Sequence, residues 1–90
     1  MKNIEFDASK DASNKSKHGV SLAKAGEVDW DSALVWVDQR FPYDEIRMIA
    51  LAPETNVLYY IAFVERGETR RVVSLRRANR SEVKHYVENV

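Results

Sequence analysis

Residues 57–77 read VLYYIAFVERGETRRVVSLRR, and the fold turns on this stretch. Val57 to Val64 is an unbroken apolar run rich in β-branched and aromatic residues, the pattern of a strand buried on both faces and therefore central in its sheet. Glu65, Arg66, Gly67 and Glu68 follow as a hairpin turn, with Gly67 able to take a positive φ. Thr69 to Arg77 is the next strand. Its period of two predicts Arg71, Val73, Leu75 and Arg77 on one face and Arg70, Val72, Ser74 and Arg76 on the other.

Working outward toward the start, Ile46, Met48 and Ala50 alternate with Arg47, Ile49 and Leu51, ahead of a turn at Pro53 and Asn56. Leu34 to Val37 is a short apolar run bounded by acids and is read as the first strand. Phe6 is an apolar anchor. Asp7 is placed to cap a helix over residues 8–17, and Gly19 to end it in the left-handed conformation. Ser21 caps a second expected helix, SLAKAGEVDW, with Leu22, Ala25 and Val28 at helical spacing for covering a sheet. Toward the end, Asn79 and Glu82 have the spacing of a capping box, and Val83, Tyr86, Val87 and Val90 fall on one face of a closing helix. The expected fold class is α+β: two N-terminal helices, a three- to four-stranded antiparallel sheet and a C-terminal helix.

Ninety residues with 44% apolar and 31% charged side chains are the size and composition of one globular domain, expected over 1–90. No apolar run approaches the roughly twenty residues of a membrane helix, so no membrane association is expected. The start, MKNIEFDASK, lacks an apolar signal-peptide core, and a cytoplasmic location is expected. With no cysteine and two histidines, a structural zinc site is not expected, nor is any other cofactor.

The charge is unevenly distributed. RGETRRVVSLRRANR, Arg66 to Arg80, holds six arginines and one acid in a chain of zero formal net charge. The acids gather between Glu27 and Glu45, where Arg40 is the sole basic residue. A guanidinium stays charged and matches phosphate oxygens bidentately, so this density points to an anion or nucleic-acid site. Singly, each such arginine reads equally well as solvated surface.

Metal-free RNA cleavage needs a base for the 2′-hydroxyl, cationic donors for the charge of the transition state, and an acid for the leaving oxygen. Arginine supplies only the second. Proton-transfer candidates are Glu45, His18, His85, Lys17, Tyr43, Tyr59 and Tyr60. Glu45 and Arg47, two apart on one expected strand, fit either a base beside a phosphate clamp or an ordinary strand ion pair. His18 fits either a protonated group at a helix C-terminus or a simple cap. His85 is expected to face solvent. Trp30, Trp36, Tyr59, Tyr60 and Phe63 lie in apolar runs and read as core, although Trp36 beside Asp31 and Asp38 also suits a protein-binding surface.

Together these segments resemble the BrnT family of bacterial type II toxins. The resemblance runs almost end to end. It rests on Phe6 and Asp7, on Asn14 with Lys17, His18, Gly19, Val20 and Ser21, on Asp38, Glu45 and Arg47, and on Glu65, Arg66 and Gly67. It closes with Arg71, Val72, Val73, Ser74, Arg76, Arg77 and Ala78, then Glu82 and Tyr86. The resemblance implies a RelE/ParE-like fold and a metal-independent RNA endonuclease that inhibits translation. It implies neutralisation by a BrnA-type antitoxin with a DNA-binding part, two toxins with two antitoxins, and operator DNA reached only through the antitoxin. By position it implies Lys17, Glu45, Arg47, Arg71 and Arg77 as site residues; Glu45, Arg47, Arg71 and Arg77 are the expected catalytic ones, and Lys17, His18, Arg66, Arg70, Arg76 and Arg80 the expected RNA-binding ones. Two positions depart from the family pattern: Phe41 stands where a histidine is often found, and Ile46 where an acid is. A noncatalytic RelE/ParE-like module, one that binds a protein target or acts only as an antitoxin-bound corepressor, is the alternative. A plain interaction domain with no RNA role explains the arginines least well.

Overall fold

The apolar run at the centre of the sequence is also at the centre of the sheet. A computed structural model describes residues 2–40, 42 and 44–90. In chain order the elements are β1 (Asn3–Glu5), α1 (Ala8–His18), two 3-10 segments (Leu22–Gly26 and Trp30–Ser32), β2 (Leu34–Val37), β3 (Met48–Glu54), β4 (Val57–Arg66), β5 (Thr69–Arg77) and α2 (Arg80–Asn89). The strands form one sheet in the order β1-β5-β4-β3-β2. β2, β3, β4 and β5 are antiparallel, while β1 runs parallel to β5 and pairs Asn3, Ile4 and Glu5 with Thr69, Arg70 and Arg71. The four antiparallel strands are the expected sheet, and β1 adds a fifth, parallel one at its edge. The extra one is too short to carry a strand pattern of its own.

Ile61, Phe63, Ala62 and Val64 are all buried, as a central strand with both faces covered requires. One face, with Ala50, Ala52, Tyr59, Ile61, Phe63, Val72 and Leu75, packs against Leu22, Ala25 and Val28. Trp30 closes this core edge-on to Phe63, with its indole N–H donating to the Ala25 carbonyl at 2.8 Å. The opposite face carries Ile49 and Leu51, also buried. There Trp36 of β2 meets the His85 ring of α2 edge-on, and the Tyr86 hydroxyl donates to the Ser32 carbonyl at 2.7 Å.

The second expected helix is replaced by the two 3-10 segments. Ser21 does cap the first, accepting from the Ala23 N–H at 3.1 Å. Leu22, Ala25 and Val28 recur every three residues, which suits the three-residue turn of a 3-10 helix as well as an α-helical face. The turn after β3 is Thr55–Asn56, with Thr55 at φ 54°. Pro53 lies within β3, beyond the reach of β2, where its missing N–H breaks no ladder bond. The hairpin between β4 and β5 turns at Gly67, φ 60°. α2 has the full capping box: Asn79 accepts from the Glu82 N–H, and the Glu82 carboxylate accepts from the Asn79 N–H, both at 2.8 Å. Among the described residues no helix is long and apolar enough to cross a membrane.

Candidate active site

The site begins with a fault in a strand. The β4–β5 ladder slips at Ala62 and Phe63: Phe63 pairs with Val72, and Ala62 with Ser74, leaving Val73 as the extra residue of a bulge. The slip resets which side chains share a face. Arg71 (opposite Val64), Ser74 (opposite Ala62) and Arg76 (opposite Tyr60) lie on one face. Arg70, Val72, Leu75 and Arg77 lie on the other, the face of the main core. Arg71 and Arg77, expected on one face, are on opposite faces because the bulge adds one residue between them.

One wall is α1. Asp7 accepts from the Ser9 N–H at 2.7 Å and from the Lys10 N–H at 3.4 Å, and Gly19 ends the helix at φ 74°. The Ser9 bonds, then that of Lys10, hold the Asp7 carboxyl below the usual range. The helix is mostly polar, so it is docked by polar contacts. Asn14, its buried residue, donates to the carbonyls of Leu75 at 2.7 Å and Val20 at 2.9 Å, and accepts from the Leu75 N–H at 3.2 Å. Asp11 accepts from the Leu22 N–H and the Ser21 hydroxyl. These bonds turn Lys10, Ser13, Lys17 and His18 toward β5.

The opposite wall is the connection ahead of β3. Glu45 and Arg47 lie in that connection rather than on a strand, so the expected same-face strand pair does not form. Glu45 accepts instead from both Nε and Nη2 of Arg66 on β4, the Nε bond being 3.1 Å. Those bonds hold its carboxyl below the ordinary range, with Arg71 and Arg47 adding to the effect. Glu45 is therefore firmly ionised at neutral pH. Arg71 is steadied by Glu5 of β1, 2.6 Å away.

Between the walls run two adjoining hollows of about 380 and 300 Å³, joined at Lys10, Arg47 and Val73. The first holds Glu45, Arg66 and Arg71, and the second Lys17 and His18. Glu45, Arg47, Arg66, Arg71, Lys17 and His18 are thus brought together from four parts of the chain. Lys10 was missed by the sequence reading. The available signal was its position seven residues before Lys17, which places both on one face of α1. Among the described residues neither lysine makes an ion pair.

The other arginines lie apart. Arg70 stacks 4.0 Å over the Trp30 ring and pairs with Glu65, on the far face. Arg76 shares the groove's face but is held by two 2.8 Å bonds to Glu82 and stacks 4.0 Å over Tyr60. Arg77 is exposed on the core side, and Arg80 is exposed at the start of α2. None of these four lines the groove. Tyr59 is buried in the core and His85 packs on Trp36. Burial pushes the Tyr60 hydroxyl pKa up. The expectations attached to Phe41 and Tyr43 lie outside the described residues. Among the described residues no three His, Cys, Asp or Glu side chains gather as a metal site.

A groove with guanidinium and ammonium groups on both walls and its floor is built to receive a polyanion: the cations supply charge-assisted donors, and the bound carboxylates orient them. Such a groove on a small α+β sheet suits a protein whose target is a nucleic acid backbone. The family model of the ribonuclease toxin BrnT of type II toxin-antitoxin systems matches residues 6–82, and the chain belongs to that family. The 1.1 Å crystal structure of the Brucella abortus ribonuclease toxin BrnT is similar, with a TM-score of 0.66 at 25% identity, covering 89% of this chain and 100% of that one. No curated protein sequence matches. The chain is a toxin component of a type II toxin-antitoxin system with ribonuclease function.

Proposed function

We propose that an RNA strand lies in the groove between α1 and the Glu45–Arg47 connection and is cleaved there without a metal ion. The observation that carries this reading is the convergence of Lys10, Lys17, Arg47, Arg66 and Arg71 on two joined hollows. In the proposed reaction the 2′-hydroxyl attacks the adjacent phosphorus and the 5′-oxygen leaves. Arg71 and Arg47 stabilise the charge growing on the phosphoryl oxygens, and Lys10 and Lys17 hold the flanking phosphates. Arg66 acts from its bidentate seat on Glu45. Glu45 and His18 are the groove's candidates for proton transfer. The cationic lining favours a mechanism in which side chains, rather than a divalent ion, neutralise the phosphate.

On the same reading, residues 1–90 act as one toxin domain in the cytoplasm and inhibit translation by cutting RNA. The partner is a BrnA-type antitoxin, bound as two toxins with two antitoxins, and operator DNA is reached only through it. The noncatalytic alternative draws on one observation: Arg66 holds Glu45 ionised and engaged, which weakens it as a base. Purified wild type and Arg71→Ala, incubated with a long RNA in EDTA without ribosomes, separate the two. Cleavage by wild type alone supports the ribonuclease site. RNA left intact by both favours the noncatalytic or a ribosome-dependent reading.

A further inference from the structure

β1 is three residues long and buries none of its side chains fully, so packing alone gives little reason for it. It is nevertheless held along its length. Lys2, just ahead of it, bonds Glu65 at 2.8 Å, the Asn3 N–H donates to the Glu68 carbonyl at 2.8 Å, and Ile4 and Phe6 pack against the main core. The strand also precedes residues 6–82, the stretch that the family model matches. What this anchoring presents is Glu5. The parallel register sets Glu5 beside Arg71, and Glu5 Oε1 accepts from Arg71 Nη1 at 2.6 Å.

Arg71 lines the first hollow and Glu5 does not, so the carboxylate holds the guanidinium from outside the groove. Asp7 and Glu45 also lie within electrostatic reach of Arg71, but Asp7 is engaged by Ser9 and Lys10, and Glu45 by Arg66. Among the described residues Arg71 has no hydrogen-bond partner besides Glu5, which leaves its Nε and Nη2 for a phosphate. The Arg71 side chain is 30% exposed and that of Glu5 47%. A pair this open contributes little to stability, so its effect lies in where it points the guanidinium. We infer that Glu5 is a positioning residue for RNA cleavage: it holds Arg71 through Nη1 in the orientation in which the remaining donors meet the phosphoryl oxygens as their charge grows. An arginine free to swing on its flexible stem must be ordered in every turnover, and a tethered one is ordered beforehand. The inference rests on Arg71 belonging to the ribonuclease site. It also has a distinctive sign. Glu5 is itself anionic, so removing it eases the approach of RNA while misaiming Arg71, and kcat falls without a rise in KM. Loss of a residue that only repels RNA would lower KM at unchanged kcat.

The test compares wild type, Glu5→Ala and Glu5→Gln by steady-state cleavage of a short labelled RNA, by urea unfolding, and by side-chain 15N NMR of the Arg71 guanidinium, assigned through its loss in Arg71→Lys. Glu5→Ala should lower kcat roughly tenfold or more, as misplacing a catalytic group does, with KM no higher and the urea midpoint unchanged. Glu5→Gln keeps an acceptor oxygen and should recover part of kcat. Hindered rotation of the Arg71 guanidinium in wild type should become free in Glu5→Ala. In an Arg71→Lys background, Glu5→Ala should cost little further, because the two residues act as a unit. Equal kcat in wild type and Glu5→Ala overturns the inference, as does a guanidinium that rotates as freely in wild type as in the variant. So does a fall in kcat that tracks a lowered urea midpoint, since Glu5 would then act through the fold. If wild type leaves RNA intact while the spectra show the tether, the ribonuclease site is what fails, and the role of Glu5 in cleavage falls with it.

Discussion

The Asn14 carboxamide bonds both backbone groups of Leu75, 61 residues away, donating to its carbonyl at 2.7 Å and accepting from its N–H at 3.2 Å. β1 covers the edge of β5 only as far as Arg71. Beyond it, Asn14 takes the place of a strand partner and fastens α1 to the sheet.

Asn14→Ala should therefore lower stability by about 2 to 3 kcal/mol, since two buried peptide groups lose their partner. Urea unfolding checks the size of the loss. RNA binding should also weaken, because the helix that carries Lys10 and Lys17 is no longer held against β5.

Lys10→Ala and Lys17→Ala should each leave the fold unchanged and make RNA binding less salt-dependent. For single-stranded RNA, each removed phosphate contact reduces the slope of log K against log salt by about 0.7. Arg77→Ala, on the other face, should leave that slope where it is. Filter binding at a series of salt concentrations distinguishes them.

Glu45→Gln frees Arg66 from its bidentate partner and removes a negative charge from the groove. Tighter RNA binding with little change in kcat is expected if Glu45 only seats Arg66. A large fall in kcat, with loss of the acidic limb of the pH profile, would instead assign it proton transfer.

Acid should loosen α2 through Glu82. Burial alone would raise this carboxyl, but the bonds from Arg76 and from the Asn79 N–H together bring it below its ordinary value of 4.5. A depressed carboxyl contributes stability that is present above its unfolded-state pKa and is lost as pH falls through the lower folded-state value. Glu82→Gln should lower stability by about 1 kcal/mol at neutral pH, a figure discounted for solvent screening. The gap to wild type should narrow below about pH 4.5, near the ordinary carboxyl value. Denaturation curves at neutral and acid pH show whether it does.

Much of this architecture is legible in local chemistry. The run 57–64 sits at the sheet's centre, Gly67 turns the hairpin, Asp7 and Gly19 bound α1, and Asn79 with Glu82 opens α2. These signals are strong because each is a local demand on backbone or burial. Three features left no such mark. β1 is held by pairing with residues some 66 positions away and is too short for alternation to register. The bulge at Val73 interrupts no pattern, because Val72, Val73 and Leu75 are all apolar, and so simple alternation puts Arg71 and Arg77 on one face although the folded strand separates them. Leu22, Ala25 and Val28 fit a 3-10 spacing as readily as an α-helical one. Of the site, the arginine-rich strand was visible from composition. Which arginines line the groove and which brace Trp30 and Tyr60 depends on neighbours that only the folded chain supplies.

The dependence of the groove on distant segments also bears on how the protein is made. Its cations sit on α1 and, more than fifty residues later, on β5, tied down through Asn14 and through Glu5 on Arg71. Contacts of such sequence separation form late, after most of the polypeptide is available to close the loop. A chain still emerging from the ribosome therefore holds Lys10 and Lys17 before the strand that completes the groove with them. The groove is completed only once β5 has followed α1 out of the ribosome.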